Sequence, residues 1–308
     1  MRILAVGELN PDLILASLTA PPQAGREVVA RDFALRLGSS SAICASGLAK
    51  LGNETAFVGA AGDDIFGKFC LERLTAIGVD VSFVRLDPAL RTGLTVSISD
   101  DDRALVTYPG AMETLRAGAV TDDMLRGCQH VHVSAYFLQT GLQSGLVGLF
   151  ERAQALGLTT SLDPGHDPSE GWGSGLRAVF QFTNVLFFND VELKSVAAIG
   201  EVDRALESLG SDKTLVIVKL GSSGCAALGA DGAIAREAAI AVDVVDTTGA
   251  GDSFNAGFLH GWLRNWGLTK SLQCGVICGG LSTQGLGGCA AQPKAAELEA
   301  KLAELGPQ

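Results

Sequence analysis

The sequence predicts an α/β protein: a central, mainly parallel sheet flanked by helices on both faces, with a small β-sheet beside it. Three observations point there. Strand-like and helix-like segments alternate through most of the 308 residues, the pattern that lays helices over a parallel sheet. Two segments, 12–37 and 91–111, break that rhythm with β-branched residues and turn signals but no helix between them. A glycine-rich turn, Thr247–Gly251, leads from an apolar run into a helical pattern. Hydrophobic residues make up 47% and charged residues 19%, so a sizeable core is available to one large or two small domains.

In chain order, Arg2–Leu9 reads as an apolar strand, Ser40–Leu51 has helical spacing, Thr55–Ala60 reads as a strand and Asp64–Ile77 as a helix. Within 91–111, TGLTVSIS and ALVTY flank the acidic run DDDR, which predicts a hairpin. His130–Ala135 reads as a strand, Leu142–Leu156 as a helix, and Thr159–Asp163, Val185–Asn189 and Leu215–Leu220 as strands. Ala241–Val245 reads as a buried strand, and helical patterns dominate from Asp252 or Ser253 to the end. The expected division is a large domain of 1–11, 38–90 and 112–308, with 12–37 and 91–111 as a small β lid. In open α/β sheets ligands bind beyond the carboxyl ends of the strands, where a lid can exclude water.

The most informative stretch is VVDTTGAGDSFNAGFLHGW, Val244–Trp262. Gly249, Ala250 and Gly251 carry almost no side chain, so their N–H groups can converge on an anion at a helix N-terminus. Asp252 stands where that anion would lie. A carboxylate beside a phosphate site is electrostatically costly, and the chemical reason for one is a base that takes a proton from an acceptor hydroxyl. The structural alternative is a helix cap, for which Asp is well suited.

That string resembles the C-terminal signature of the PfkB/ribokinase family of carbohydrate kinases, D-T-x-G-A-G-D-x-F, through Asp246, Thr247, Gly249, Ala250, Gly251, Asp252 and Phe254. Leu37–Phe69 is similar to the N-terminal signature at Gly38, Ala45, Leu48, Ala49, Leu51, Gly52, Gly59, Gly62, Asp64, Phe66 and Gly67. The resemblance implies a ribokinase-like fold with a β-sheet lid. It also implies ATP-dependent transfer of the γ-phosphoryl group to a hydroxyl of a sugar or sugar-like molecule, with Asp252 as base and Gly249–Gly251 as anion hole. Asp12, at the end of the first strand region, is the implied acceptor-binding carboxylate, with Asn10 and Gly38 nearby. Ser39 replaces the second glycine of the pattern. Ile43 stands where a substrate-contacting asparagine is usual, and it cannot hydrogen-bond a sugar. Ser39, Ser40 and Ser41 either supply other polar contacts or cap the following helix.

Asn189-Asp190-Val191-Glu192 matches the family's Asn-x-x-Glu motif, which implies that Asn189 and Glu192 organise magnesium and its waters around ATP. Read alone, it is also an ordinary capped helix start. Lys219, Gly221 and Gly224 resemble the nucleotide-side strand and turn, with a hairpin turn as the plain alternative. Val276 and Gly279 fall in the segment that borders adenine in the family, Val276 replacing the usual asparagine. Asp246 and Thr248 align with positions that hold a monovalent cation such as K+ in many members. The resemblance also implies a homodimer through the lid.

A net charge of −11 argues against nucleic acid or an anionic membrane surface as partner. The seven cysteines form no CxxC pair, which fits a reducing cytoplasm. No apolar run is long enough for a transmembrane helix, and no GxxxxGK[ST] or protein-kinase signature is present. His130 and His132 alternate onto one face of an apolar strand and read as structural rather than as metal ligands. Ile43 leaves a nucleoside kinase open as the alternative acceptor class. A ligand-binding homologue without catalysis is the other alternative.

Overall fold

A computed structural model describes residues 2–99, 103–173, 175–229 and 231–305. Its strands in chain order are β1 (Arg2–Val6), β2 (Pro11–Leu18), β3 (Ala30–Leu37), β4 (Glu54–Gly62), β5 (Asp80–Asp87), β6 (Leu94–Ser99), β7 (Arg103–Tyr108), β8 (His130–Ser134), β9 (Thr159–Asp163), β10 (Val185–Asn189), β11 (Leu215–Lys219), β12 (Cys225–Leu228) and β13 (Ile234–Glu237). The α-helices are α1 (Ser40–Lys50), α2 (Ile65–Ile77), α3 (Asp122–Arg126), α4 (Thr140–Ala155), α5 (Leu176–Phe180), α6 (Asp190–Ala197), α7 (Val202–Leu209), α8 (Ala250–Trp262), α9 (Leu268–Ser282) and α10 (Ala295–Leu305).

Nine strands form one sheet in the order β13-β12-β11-β10-β9-β8-β1-β4-β5. Pairing is parallel from β11 through β5, and β12 and β13 add an antiparallel edge. The apolar runs of the central strands follow from burial on both faces. In β10, Leu186 and Phe188 enter one core cluster with Val216 and Val218, while Val185 and Phe187 enter another with Phe254 and Phe258. Each Phe buries roughly 1.5–3 kcal/mol of favourable transfer free energy, so both layers depend on this one strand. Beyond β1 the chain reverses its direction of travel across the sheet, from β4–β5 on one side to β8–β11 on the other. Crevices at such a switch point, beyond the strand carboxyl ends, are where α/β proteins bind ligands.

A separate four-stranded sheet has the order β3-β2-β6-β7. Strands β6 and β7 pair antiparallel, as the hairpin pattern predicts. The acidic turn at 100–102 lies outside the described residues. One expected element is absent: 241–245 is not a strand. The sheet's edge is already β13, so this apolar run has no strand partner, and Val244 and Val245 are 60% and 64% exposed. The helix after the glycine turn begins at Ala250, earlier than the helical pattern suggested.

His130 and His132 lie fully buried on one face of β8, hydrogen-bonded at 2.7–2.8 Å to Thr159, Ser161 and Ser134. No cluster of three or more His, Cys, Asp or Glu side chains suited to a metal occurs among the described residues. Burial lowers both imidazoles, His132 to about 4. Because the unfolded value is about 6.5, neutrality in the fold is without cost above that pH. The unfolded chain gains protons, and stability is lost, as pH falls from 6.5 toward 4. Both rings are expected to stay neutral in nitrogen-15 NMR spectra from pH 8 down to pH 5; titration near 6.5 would contradict the buried ladder.

Candidate active site

The carboxyl ends of β1, β9, β10 and β11 and the N-terminus of α8 converge. Gly249 is the N-cap of α8, with φ +69, and no side chain caps this helix. A Cβ on Gly249 would lie 2.7 Å from the Gly288 Cα, so both its conformation and its space require glycine. The Ala250 amide bonds to the Thr247 carbonyl at 3.2 Å. That amide is therefore engaged in the turn, while Asp252 occupies the first turn of α8.

Lys219, from the end of β11, reaches this turn. Its Nζ lies 2.5 Å from Asp163 Oδ2 and 3.4 Å from Asn255 Oδ1, and Asn255 Nδ2 donates to the same Asp163 oxygen at 2.6 Å. A Cβ on Gly251 would come within 3.2 Å of Lys219 Nζ, so the glycine admits the ammonium to the anion turn. Burial alone would lower the lysine, but Asp163 and then Glu192 outweigh it and raise its pKa. Burial likewise works against ionised Asp163, and Lys219 overcomes it to lower that carboxyl. The pair is charged on both sides.

Asn189 and Glu192 form a capping box on α6: Glu192 N–H donates to Asn189 Oδ1 and Asn189 N–H donates to Glu192 Oε2, both at 2.8 Å. The helix-start and functional readings of this motif thus describe the same residues. Burial first, and Asp163 next, push the Glu192 carboxyl up to about 7. Asp163, Asp252 and, when ionised, Glu192 all act on the one ammonium of Lys219, so the site favours an added cation.

Glu8, given no role by the sequence reading, is 2% exposed just beyond β1. It accepts from Ser41 Oγ at 2.6 Å, Ser41 N at 3.1 Å and Gln139 Nε2 at 3.3 Å. Burial pushes its carboxyl up to about 7, with Asp252 a smaller contributor. Its one sequence signal is an acidic residue ending an apolar strand. Asn255 carried the faint signal of lying one helical turn beyond Asp252.

On the small sheet, Asp12 is 7% exposed, and a Cβ on Gly38 would strike its carboxylate at 2.0 Å. Asn10 Nδ2 donates to Thr95 Oγ1 at 3.1 Å. Ile43 is buried against Gly249 and Gly288 rather than presented as a polar contact. Val276 and Gly279 pack between α8 and α9, Gly279 letting α9 approach the Ala250 carbonyl. Gly221 opens a 3-10 turn and Gly224 ends it, within an antiparallel β11–β12 pair. Asp246 Oδ1 accepts from the Thr248 N–H and hydroxyl, and its Oδ2 from the Gly287 N–H at 2.8 Å. This ties the cation-type positions to the 283–288 loop.

Ser39 caps α1, bonding the Glu8 carbonyl and accepting from Ala42 N, with a positive φ of +73. Such a backbone costs a side-chain-bearing residue about 1–3 kcal/mol. Ser39→Ala keeps the strain and loses the bonds, and is expected to cost about 1 kcal/mol. Ser39→Gly also loses them but relieves the strain, and is expected to cost less. Urea midpoints compare the two, and equal losses would remove strain from the account.

The model of the pfkB family of carbohydrate kinases matches residues 1–295. An ATP-dependent ribose-1-phosphate kinase of Halopiger xanaduensis is 31% identical over 309 residues, covering 99% of each chain. A nucleoside kinase of Methanothermobacter thermautotrophicus is 29% identical, covering 85% of this chain and 82% of that protein. An E. coli structure described as a ribokinase II in complex with ATP and Mg2+ superposes with a TM-score of 0.87 at 21% identity, covering 98% and 99% of the two chains.

Proposed function

Because this chain belongs to the pfkB family of carbohydrate kinases, phosphotransferases with an alcohol group as acceptor, we propose that it transfers the γ-phosphoryl group of ATP to a hydroxyl of a sugar or sugar-like molecule, with Asp252 as base. The observation that carries this reading is the uncapped N-terminus of α8, with Asp252 in its first turn and Lys219 held against Gly251. Helix amides and a desolvated ammonium favour a transferring phosphoryl group. Asp252 takes the acceptor's proton, late in a largely dissociative transfer. Asp12 and Asn10 hold the acceptor's hydroxyls, and Gly38 and Ser39 shape the adjoining backbone.

The donor set fits magnesium. Glu192 is a buried carboxylate among other carboxylates, and magnesium takes one or two such ligands plus phosphates and waters. Glu192, through water, and Asn189 would hold it; bound there, magnesium neutralises charge on the ATP phosphates. Gly221, Gly224, Val276 and Gly279 border the nucleotide. Asp246 and Thr248 are assigned to a monovalent cation such as K+: among the described residues no Lys or Arg pairs with the buried Asp246 carboxylate.

Residues 12–37 and 91–111 serve as the lid. The lid also supports a homodimer, because one face of its sheet carries exposed apolar side chains, Phe33, Val106 and Tyr108. No described helix is long and apolar enough to cross a membrane. The seven cysteines, all free, support a cytoplasmic setting. A nucleoside acceptor is the second reading, favoured by Ile43 in place of a polar side chain. The test is magnesium-dependent ADP release on a panel of ketoses, aldoses, sugar acids and nucleosides, with and without potassium. No release on any acceptor, with ATP still bound, would reject the kinase in favour of a ligand-binding protein.

A further inference from the structure

The faces of the small sheet differ in chemistry, and the polar face has a direction. Arg36 on β3 stands directly opposite Asp12 on β2, Asp12 opposite Thr95 on β6, and Thr95 opposite Thr107 on β7. Residues paired this way project to the same face, so Arg36, Asp12, Thr95 and Thr107 form one row. With strands about 4.8 Å apart, the row runs about 14 Å across the four strands. Thr95 Oγ1 and Thr107 Oγ1 share a hydrogen bond at 3.1 Å, and Asn10 joins them through Thr95. The row therefore offers hydroxyls and a carboxylate at one end and a guanidinium at the other.

Arg36 is exposed, but it is not a loose surface arginine. Its Nε donates to the Leu286 carbonyl at 3.1 Å, tying the small sheet to the 283–288 loop. A Cβ on Gly287 would lie 2.5 Å from Arg36 Cγ, so this loop glycine makes room for the arginine stem. The adjoining Gly288 packs on Ile43, and Gly249 packs on both. The arginine stem thus joins the strand paired with Asp12 to the loop that packs on Gly249. Its Nη2 has no hydrogen-bond or ion-pair partner among the described residues, and Nη1 has only a 3.5 Å contact to the Leu35 carbonyl. A tethered arginine with open terminal donors recognises carboxylate or phosphate. In a chain of net charge −11, an anionic substrate gains no general electrostatic attraction, so a local cation is needed to select it.

We infer that Arg36 is a specificity-determining residue and that the phosphoryl acceptor is an anionic polyol. Its phosphate or carboxylate binds Arg36, and its hydroxyls bind Asp12, Asn10 and the threonine row. This rests on the acceptor site proposed above. The test compares matched pairs of acceptors, ribose 1-phosphate and ribose 5-phosphate against ribose, and gluconate against glucose, by kcat/KM from ADP release. The expected result is a preference for the anionic member of at least one pair, with the pair showing whether phosphate or carboxylate is read. In Arg36→Met the anionic-to-neutral ratio is expected to fall about 10- to 100-fold, and Arg36→Lys is expected to recover part of it. Each ratio shares one nucleotide, so effects on ATP cancel. Turnover without anionic preference, or a ratio unmoved by Arg36→Met, overturns the inference and leaves the kinase standing. Absence of ADP release from every acceptor rejects the kinase reading instead. Thermal shifts with ribose 1-phosphate against ribose then decide the inference: a larger shift with the phosphate that is lost in Arg36→Met supports it, and equal shifts overturn it.

Discussion

Asp252→Asn is expected to lower kcat about 1,000-fold, within the range usual for loss of a general base, while ATP binding measured by calorimetry persists. Asparagine is nearly isosteric, and no side chain caps α8, so its N-terminus should survive the change. Removing a negative charge beside the phosphates weakens no attraction to ATP. What disappears is the acceptor for the hydroxyl proton. A variant that keeps wild-type turnover would strip Asp252 of the base role and leave it as a first-turn carboxylate favoured by the helix dipole. A variant that loses ATP affinity as well would assign the residue to nucleotide binding.

The second large effect concerns Asp163 and Lys219. Asp163→Leu leaves a buried ammonium without its 2.5 Å partner and is expected to destabilise the protein by about 3–5 kcal/mol. Lys219→Met, which strands the carboxylate, is expected to cost a similar amount, because Asn255 alone does not neutralise Asp163. The double variant Asp163→Leu/Lys219→Met is expected to regain most of that stability, since two apolar side chains can replace a buried ion pair with little loss. It is nonetheless expected to remain inactive, because no cation then faces Gly251. Urea unfolding and ADP release on the same three proteins separate the two roles. Recovery of activity together with stability would make the pair purely structural.

These residues differ in how visible they are in the chain. Gly249, Ala250, Gly251 and Asp252 are contiguous, and a strand-to-helix turn places contiguous residues at one point, so local chemistry revealed them. Asn189 and Glu192 are one helical turn apart and were legible for the same reason. Lys219 and Asp163 were each legible as strand ends, but their pairing was not. Asp163 is 56 positions away from Lys219 and 92 from Asn255, and only the parallel order β9-β10-β11 makes them neighbours. Glu8 and Gln139 lie 131 positions apart and meet because β8 inserts beside β1.

Ala241–Val245 shows the converse. An apolar run has the composition of a buried strand, but burial needs a neighbouring strand, and none remains beyond β13. Alternation and the glycine turn were enough to establish the α/β class, the parallel sheet, the helix carrying Asp252 and the kinase signature, because each is written in spacings shorter than about one helix. The pairing of Lys219 with Asp163, the seat of Ile43 against Gly249, and the row from Arg36 to Thr107 depend on strand order and register. Those are settled by which apolar faces bury together, and that is a property of the whole folded chain.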